Sequence, residues 1–285
     1  MNTFDTHAFE SNMIEPEEVA RPDVVGVFAM PINAHMGNTG DRIHMLAELT
    51  GMKILTVDFY NQDRRMSHGM KARDANVPSG DVFDLVSQYR VDFVQDQLSD
   101  LKHDLTIGIG DSLGVPAIEG MALADHDLFD VISLRDGWNL REKESAITGI
   151  ARYLGYQVSD AINSRLHPRN FNIPPSAYAD VPLSQPSEVS GLGKIWNVAP
   201  AMIGYEAQES AIELAGKIAM QVKLFDHGLS GTIDQARAFQ KQLDKARTNG
   251  TAPLRVDIVP GWHDHLMDPA RGAHDVMNAL KLLSK

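Results

Sequence analysis

The sequence predicts an α/β fold: a mostly parallel sheet of about six strands, helices on both faces, and an inserted helical cap. Two observations lead to it. Apolar runs such as Val24-Val25-Gly26-Val27-Phe28-Ala29-Met30 are continuous rather than alternating, as in strands buried on both faces. These runs alternate with segments whose apolar residues recur at three- and four-residue spacing, which is helical. Strand, helix, strand, helix in this rhythm builds a parallel sheet by right-handed crossovers.

Each element can be read in turn. Residues 1–22, with Asp5, Glu10, Glu15, Glu17 and Glu18, read as an irregular or partly helical lead-in. The strand at 24–30 opens the first part of the core, 23–137, and a turn-rich loop, Pro31 to Gly40, follows it. A helix over Asp41 to Thr50 would turn Ile43, Leu46, Ala47 and Leu49 inward, with Gly51 as its stop. Met52 to Tyr60 is the second strand, and the polar stretch Asn61 to Pro78 a long connection near the site's rim. A helix from Ser79, its candidate N-cap, carries Phe83, Val86, Tyr89 or Arg90, Phe93, Val94, Leu98 and Leu101. Strands at 105–109 and 128–134 come next, separated by a helix over Val115 to Ala124.

The rhythm breaks at residues 138–217. Amphipathic pieces, Ile147 to Leu154 and Glu206 to Ile218, flank a proline-rich centre from Pro168 to Pro186, with no strong strand. This segment is expected to be a cap or lid inserted over the sheet's carboxyl edge. Its aromatic residues, among them Trp138, Tyr153 and Tyr156, suit either packing onto the core or lining an apolar pocket. The core resumes over 218–285. A strand at Gln221 to Phe225 leads to a helix through Leu243 opened by Thr232-Ile233-Asp234-Gln235, a capping box. Leu254 to Val259 is the last strand, and Ala270 to Leu283 the closing helix.

Composition narrows the function. The chain of 285 residues carries a formal net charge of −12, which disfavours nucleic acid and anionic membrane as partners. It has no cysteine, so disulfides, thiolate metal sites and cysteine nucleophiles are excluded together. No apolar run is long enough for a membrane helix, and the acidic N-terminal stretch is unlike a secretory signal. A cytoplasmic protein acting on a small molecule is the expectation, and oligomeric state is not legible.

The stretch Leu105-Thr106-Ile107-Gly108-Ile109-Gly110-Asp111-Ser112-Leu113-Gly114 carries the chemistry. A buried-strand pattern ends in Gly-x-Ser-x-Gly, and a helix follows, the strand–turn–helix context of a nucleophile elbow. Such a turn is too tight for side chains two residues either side of the serine, and it holds the hydroxyl above the sheet. Ligands of open parallel sheets bind outside the strands' carboxyl ends. At that edge the predicted strands deliver Ser112, then Asp136, then Asp226, and last His263 and His265.

A serine, an acid and a histidine arriving in that order resemble the α/β-hydrolases, over roughly residues 23–135 and 219–283. The resemblance implies that Ser112 is the nucleophile and that a histidine after the last strand is its general base. It favours His265, which precedes apolar Leu266, over His263, which precedes Asp264. The acid departs from the family pattern, because Gly228-Leu229-Ser230-Gly231 puts a glycine where the family's Gly-x-x-Asp loop has its aspartate. Asp226 is the first substitute and Asp136 the alternative. The oxyanion hole would combine the Leu113 N–H with one from the first loop. That loop lacks the family's His-Gly, and Pro31 has no N–H, so Met30 or Ile32 is the donor.

Gly110-Asp111-Ser112-Leu113 also spells the motif of the GDSL lipases. There the motif sits on the first strand and pairs with a C-terminal Asp-x-x-His. Here two predicted strands precede it, and Trp262 and Pro260 occupy the places three before His265 and His263. His263-x-His265 alone, without cysteine or a carboxylate-rich partner, is a thin basis for a metal site, and no metal or cofactor is expected. The implied activity is hydrolysis of a carboxylic ester or thioester through an acyl-enzyme. An acyltransferase using the same triad, or a non-catalytic binding protein on this fold, is the alternative.

Overall fold

The computed structural model describes residues 11–29, 36–57, 79–112, 114–137, 140, 207–227, 231–248, 250–262 and 268–284. Its centre is a seven-stranded sheet in the order β1-β3-β2-β4-β5-β6-β7. The strands are β1 (Ser11–Ile14), β2 (Val24–Ala29), β3 (Lys53–Val57), β4 (Leu105–Asp111), β5 (Val131–Arg135), β6 (Ala219–His227) and β7 (Leu254–Trp262). All neighbours run parallel except β1, which lies antiparallel on β3 with Ser11 opposite Val57. The expected α/β sheet is therefore present, with one strand more than the sequence reading placed.

The extra strand is β1, a correction to the irregular or helical reading of residues 1–22. Ser-Asn-Met-Ile has neither a continuous apolar run nor clear alternation. Its strand state comes from the free edge of β3, a long-range pairing that local pattern does not announce. Lys53 Nζ donates to Glu15 Oε1 at 2.7 Å beside this pairing.

The described helices are α1 (Met36–Thr50), α2 (Ser79–Leu98), α3 (Gly114–Ala124), α4 (Ala207–Leu214), α5 (Ile233–Arg247) and α6 (Pro269–Leu280). A short 3₁₀ turn, Lys281–Ser284, ends the chain's described part. α1 and α6 pack together on one face, over Phe28, Ile54, Ile107, Ile109 and Val131. α2 to α5 cover the other, over Val25, Val27, Ile132, Met220 and Val222. Central strands β2 and β5 are buried along their whole length, as their unbroken apolar runs require.

Local signals were mostly obeyed, with differences that have physical causes. The α5 capping box forms: Gln235 N–H donates to Thr232 Oγ1, and Thr232 N–H to Gln235 Oε1 at 2.9 Å. Gly51 ends α1 at φ +66°, where its N–H donates to Ala47 O. Leu49, expected on the inner side of α1, is instead 51% exposed. At 3.6 residues per turn it falls off the stripe of Ile43, Leu46 and Ala47, and Thr50 takes that place. Buried Thr50 satisfies its hydroxyl by donating to Leu46 O at 2.7 Å. β5 begins at Val131 rather than at Leu128, because Asp130 binds Thr106 through both its backbone and its carboxylate.

α4 lies at the C-terminal end of the expected insertion and packs on α3 and α5, burying Ala211 and Leu214. Leu140 is buried in the same core. The rest of 138–206 lies outside the described residues.

Candidate active site

β4 carries the sheet's polypeptide to Asp111, and the next residue, Ser112, has φ +52°. That left-handed conformation is uncommon for any residue but glycine and costs on the order of 1–3 kcal/mol. The turn around it is tightly packed. A Cβ on Gly110 would lie 2.9 Å from Val115 Cα, and one on Gly114 would lie 2.2 Å from the Ala29 carbonyl oxygen. Both glycines of Gly-x-Ser-x-Gly are thus required by backbone contacts, the second by the end of β2. Val115 N–H donates to Ser112 O at 3.0 Å and closes the turn into α3. Ser112 itself is half-buried.

The adjacent strand repeats this geometry. Asp111 pairs in register with Arg135, so Ser112 and Asp136 leave β4 and β5 at the same level. Asp136 has φ +48°; among the described residues, it and Ser112 are the non-glycine residues with positive φ. It is buried, and its N–H donates to Lys223 O at 2.8 Å. Gly137 then passes so close that a Cβ there would sit 2.2 Å from Ser112 O. Two strained turns are packed side by side.

The remaining expected site residues are placed less fully. Asp226 lies in β6 where the pairing with β7 shifts register between Phe225 and His227. Its side chain lies outside the description. β7 ends at Trp262, directly before His263, and α6 begins at Pro269 behind the N-cap Asp268. His263 and His265 fall between the two, outside the described residues, as do Leu113, Met30 and Ile32. The parallel topology sends Ser112, Asp136, Asp226 and the end of β7 to one edge of the sheet.

Sequence reasoning passed over the charges beneath the elbow. Asp111, the variable residue of the motif, is fully buried and takes Arg135 Nε at 2.6 Å and Arg135 Nη2 on its other oxygen. Arg42 Nη2 reaches the same carboxylate at 3.4 Å, and Arg42 Cζ lies over the Phe28 ring, 5.5 Å from its centroid. On the far side Arg135 Nη1 is 3.8 Å from Asp275, which accepts two bonds from Lys223 Nζ. The fields differ at the two arginines. Burial pulls Arg42 down to about 10, partly offset by Asp111, and nearby Arg135 lowers it further. Burial also acts to lower Arg135, but Asp111, Asp275 and Asp268 together hold it above the ordinary arginine value. The available signal was a charge ending each of the apolar strands β4 and β5; their facing each other depends on register, which sequence does not state.

Sheet order, the two helical layers and the strained serine turn define the α/β-hydrolase fold. No family model matches the chain, and no curated protein does. Solved structures do. The enol-lactonase from Burkholderia xenovorans LB400 aligns at a TM-score of 0.60 and 13% identity, over 96% of each chain. A lipase-esterase related protein from Clostridium acetobutylicum ATCC 824 aligns at 0.57 and 14%, over 95% of this chain and 98% of that one. An esterase from Exiguobacterium antarcticum aligns at 0.57 and 11%, over 96% and 95%. The chain adopts their fold.

Proposed function

We propose that this protein is a serine hydrolase that cleaves a carboxylic ester or thioester of a small molecule through an acyl-enzyme on Ser112. The left-handed Ser112, in a turn whose flanking Gly110 and Gly114 leave no room for a Cβ, carries the reading. Strain of this kind gathers where a reactive group must be presented. In the proposed reaction His265, or His263 in its place, takes the Ser112 Oγ proton as the hydroxyl attacks the acyl carbon. The Leu113 N–H, with that of Met30 or Ile32, receives the developing oxyanion. The histidine returns the proton to the leaving group, then activates water to release the acid. Asp226 orients the histidine and stabilises its cation; Asp136 is the alternative. Support for Asp226 is its place at a register shift between β6 and β7, the kind of irregularity that can re-aim side chains beside active sites. Support for Asp136 is its burial and its strained backbone beside Ser112.

The neighbours named as esterases, an enol-lactonase and a deformylase support hydrolysis as the class. Transfer to an acceptor other than water would use the same groups. The net charge of −12 supports a small-molecule substrate over nucleic acid, and a cytoplasmic setting belongs to the same reading. Among the described residues, no helix is long and apolar enough to cross a membrane. The test is labelling with a fluorophosphonate probe, expected on Ser112 and absent from Ser112→Ala. Turnover of short p-nitrophenyl esters, with and without an added alcohol or amine, separates hydrolysis from transfer. A wild-type protein that neither labels nor turns over would overturn the proposal in favour of a binding role.

A further inference from the structure

We propose that Arg135 is a positioning residue for the acyl-transfer step, holding the Ser112 turn through its side chain and its main chain at once; this deepens the Ser112 reading and rests on it. The guanidinium grips Asp111 with both oxygens engaged, Nε to Oδ1 at 2.6 Å and Nη2 to Oδ2. The carbonyl of the same residue accepts the Ser112 N–H at 2.9 Å. Two consecutive residues of the elbow, 111 and 112, are therefore fixed to a single residue on the neighbouring strand. A planar fork sets orientation as well as distance, which a point charge does not.

The clamp is itself braced. Arg135 is 3% exposed, and α6 lies directly on its guanidinium: a Cβ on Gly272 would be 3.0 Å from Nη1. Asp275, one turn further along α6, stands 3.8 Å from Nη1 and is held by Lys223 Nζ at 2.6 and 2.8 Å. Arg135 thus joins the serine turn to α6. In an acyl transfer, small misplacement of the nucleophile is costly, about 10²-fold for 1 Å. Holding the serine turn in a fixed position is the work assigned to this residue. Among the described residues, Asp111, Arg135, Asp275 and Lys223 are all buried, so water does not loosen the arrangement.

The test uses the full-length protein and Arg135→Lys, which keeps the charge and the main-chain bond but loses the fork. The readouts are the second-order rate of fluorophosphonate labelling at Ser112, and kcat and KM for p-nitrophenyl acetate, taken far below the melting temperature. The expected result is a fall of about 10- to 100-fold in labelling rate and kcat with KM changed less than about twofold, in protein that is folded by circular dichroism. A purely structural role would lower the melting temperature and leave the folded protein's rates within about threefold of wild type; that result overturns the proposal. Should Arg135→Lys fail to fold, Asp275→Asn removes the brace alone and is judged by the same two outcomes. Wild-type protein that does not label at Ser112 sinks the serine reading itself, and this inference with it, whereas normal labelling in both variants sinks only the inference.

Discussion

Gly137 and Ser112 touch where their strands end: the space a Cβ on Gly137 would need is taken by the serine's carbonyl oxygen, 2.2 Å away. Val115 Cβ would be 2.3 Å from the same point, so neither neighbour is the far end of a flexible side chain. Gly137→Ala is expected to destabilise the protein by about 1–3 kcal/mol, since overpacking here must move backbone. It should also lower esterase activity at least tenfold, roughly, by displacing the serine turn. Urea melts and p-nitrophenyl ester turnover on one preparation measure both.

Glycine-to-alanine substitutions should rank by what the new methyl meets. Gly114→Ala faces the Ala29 carbonyl at 2.2 Å and should cost most. Gly110→Ala meets Val115 Cα at 2.9 Å and comes next. Gly26→Ala, where the nearest atom is the mobile Met52 Cε at 3.0 Å, should cost least. Midpoints from thermal melts give the order; a Gly26 variant as damaged as the Gly114 variant would contradict the reasoning.

The two buried arginines should respond very differently to removal of charge. Burial keeps Arg42 at about 10, below its ordinary value in the unfolded chain, so its charge opposes folding at neutral pH. Arg42→Met is therefore expected to change stability by no more than about 1 kcal/mol, in either direction. Arg135 is held above the ordinary arginine value, and Arg135→Met leaves buried Asp111 without its bidentate partner, with the longer Arg42 contact remaining, which should cost about 3–5 kcal/mol. The pH dependence follows in sign. Above about pH 10 folded Arg42 loses its proton while the unfolded chain still keeps it, so wild type gains stability relative to Arg42→Met as pH rises past that point. Denaturant titrations of both proteins at pH 8 and near pH 11 check it.

For the acid of the triad, Asp226→Asn and Asp136→Asn form a matched pair. The one that orients the histidine should lose roughly 10⁴ in kcat, as removal of that charge does elsewhere. The other should lose far less. Steady-state kinetics on the two variants decide the assignment, and near-normal rates in both would rule out either as the acid.

Thr232→Ala should cost about 1 kcal/mol by removing the capping box at the start of α5. A thermal melt measures it.

What the sequence disclosed depended on whether the signal was local. The apolar runs of β2 and β4, the Gly51 stop and the Thr232-x-x-Gln235 box are local, and each forms an element where the sequence signals it. Ser112 was legible because a tight turn needs glycine on both flanks, a constraint written within five residues. β1 was not legible, because Ser-Asn-Met-Ile becomes a strand only by lying on β3. The charged row was missed for the same kind of reason. Asp111 and Arg135 each look like an ordinary strand end until the β4–β5 register sets them face to face. Leu49 shows a smaller failure: a leucine inside a helical pattern still points outward when its angle leaves the stripe.

β1 contributes no chemistry, yet its loss would change how copies of this chain meet. Without those four residues, β3 would end the sheet with Ile54, Leu55 and Val57 and an unmatched row of backbone donors and acceptors. Such a border is a template for adding another chain's strand. A short terminal strand flanked by the Lys53–Glu15 ion pair is a poor template. A segment with little pattern of its own thus sets which backbone row forms the border of the sheet.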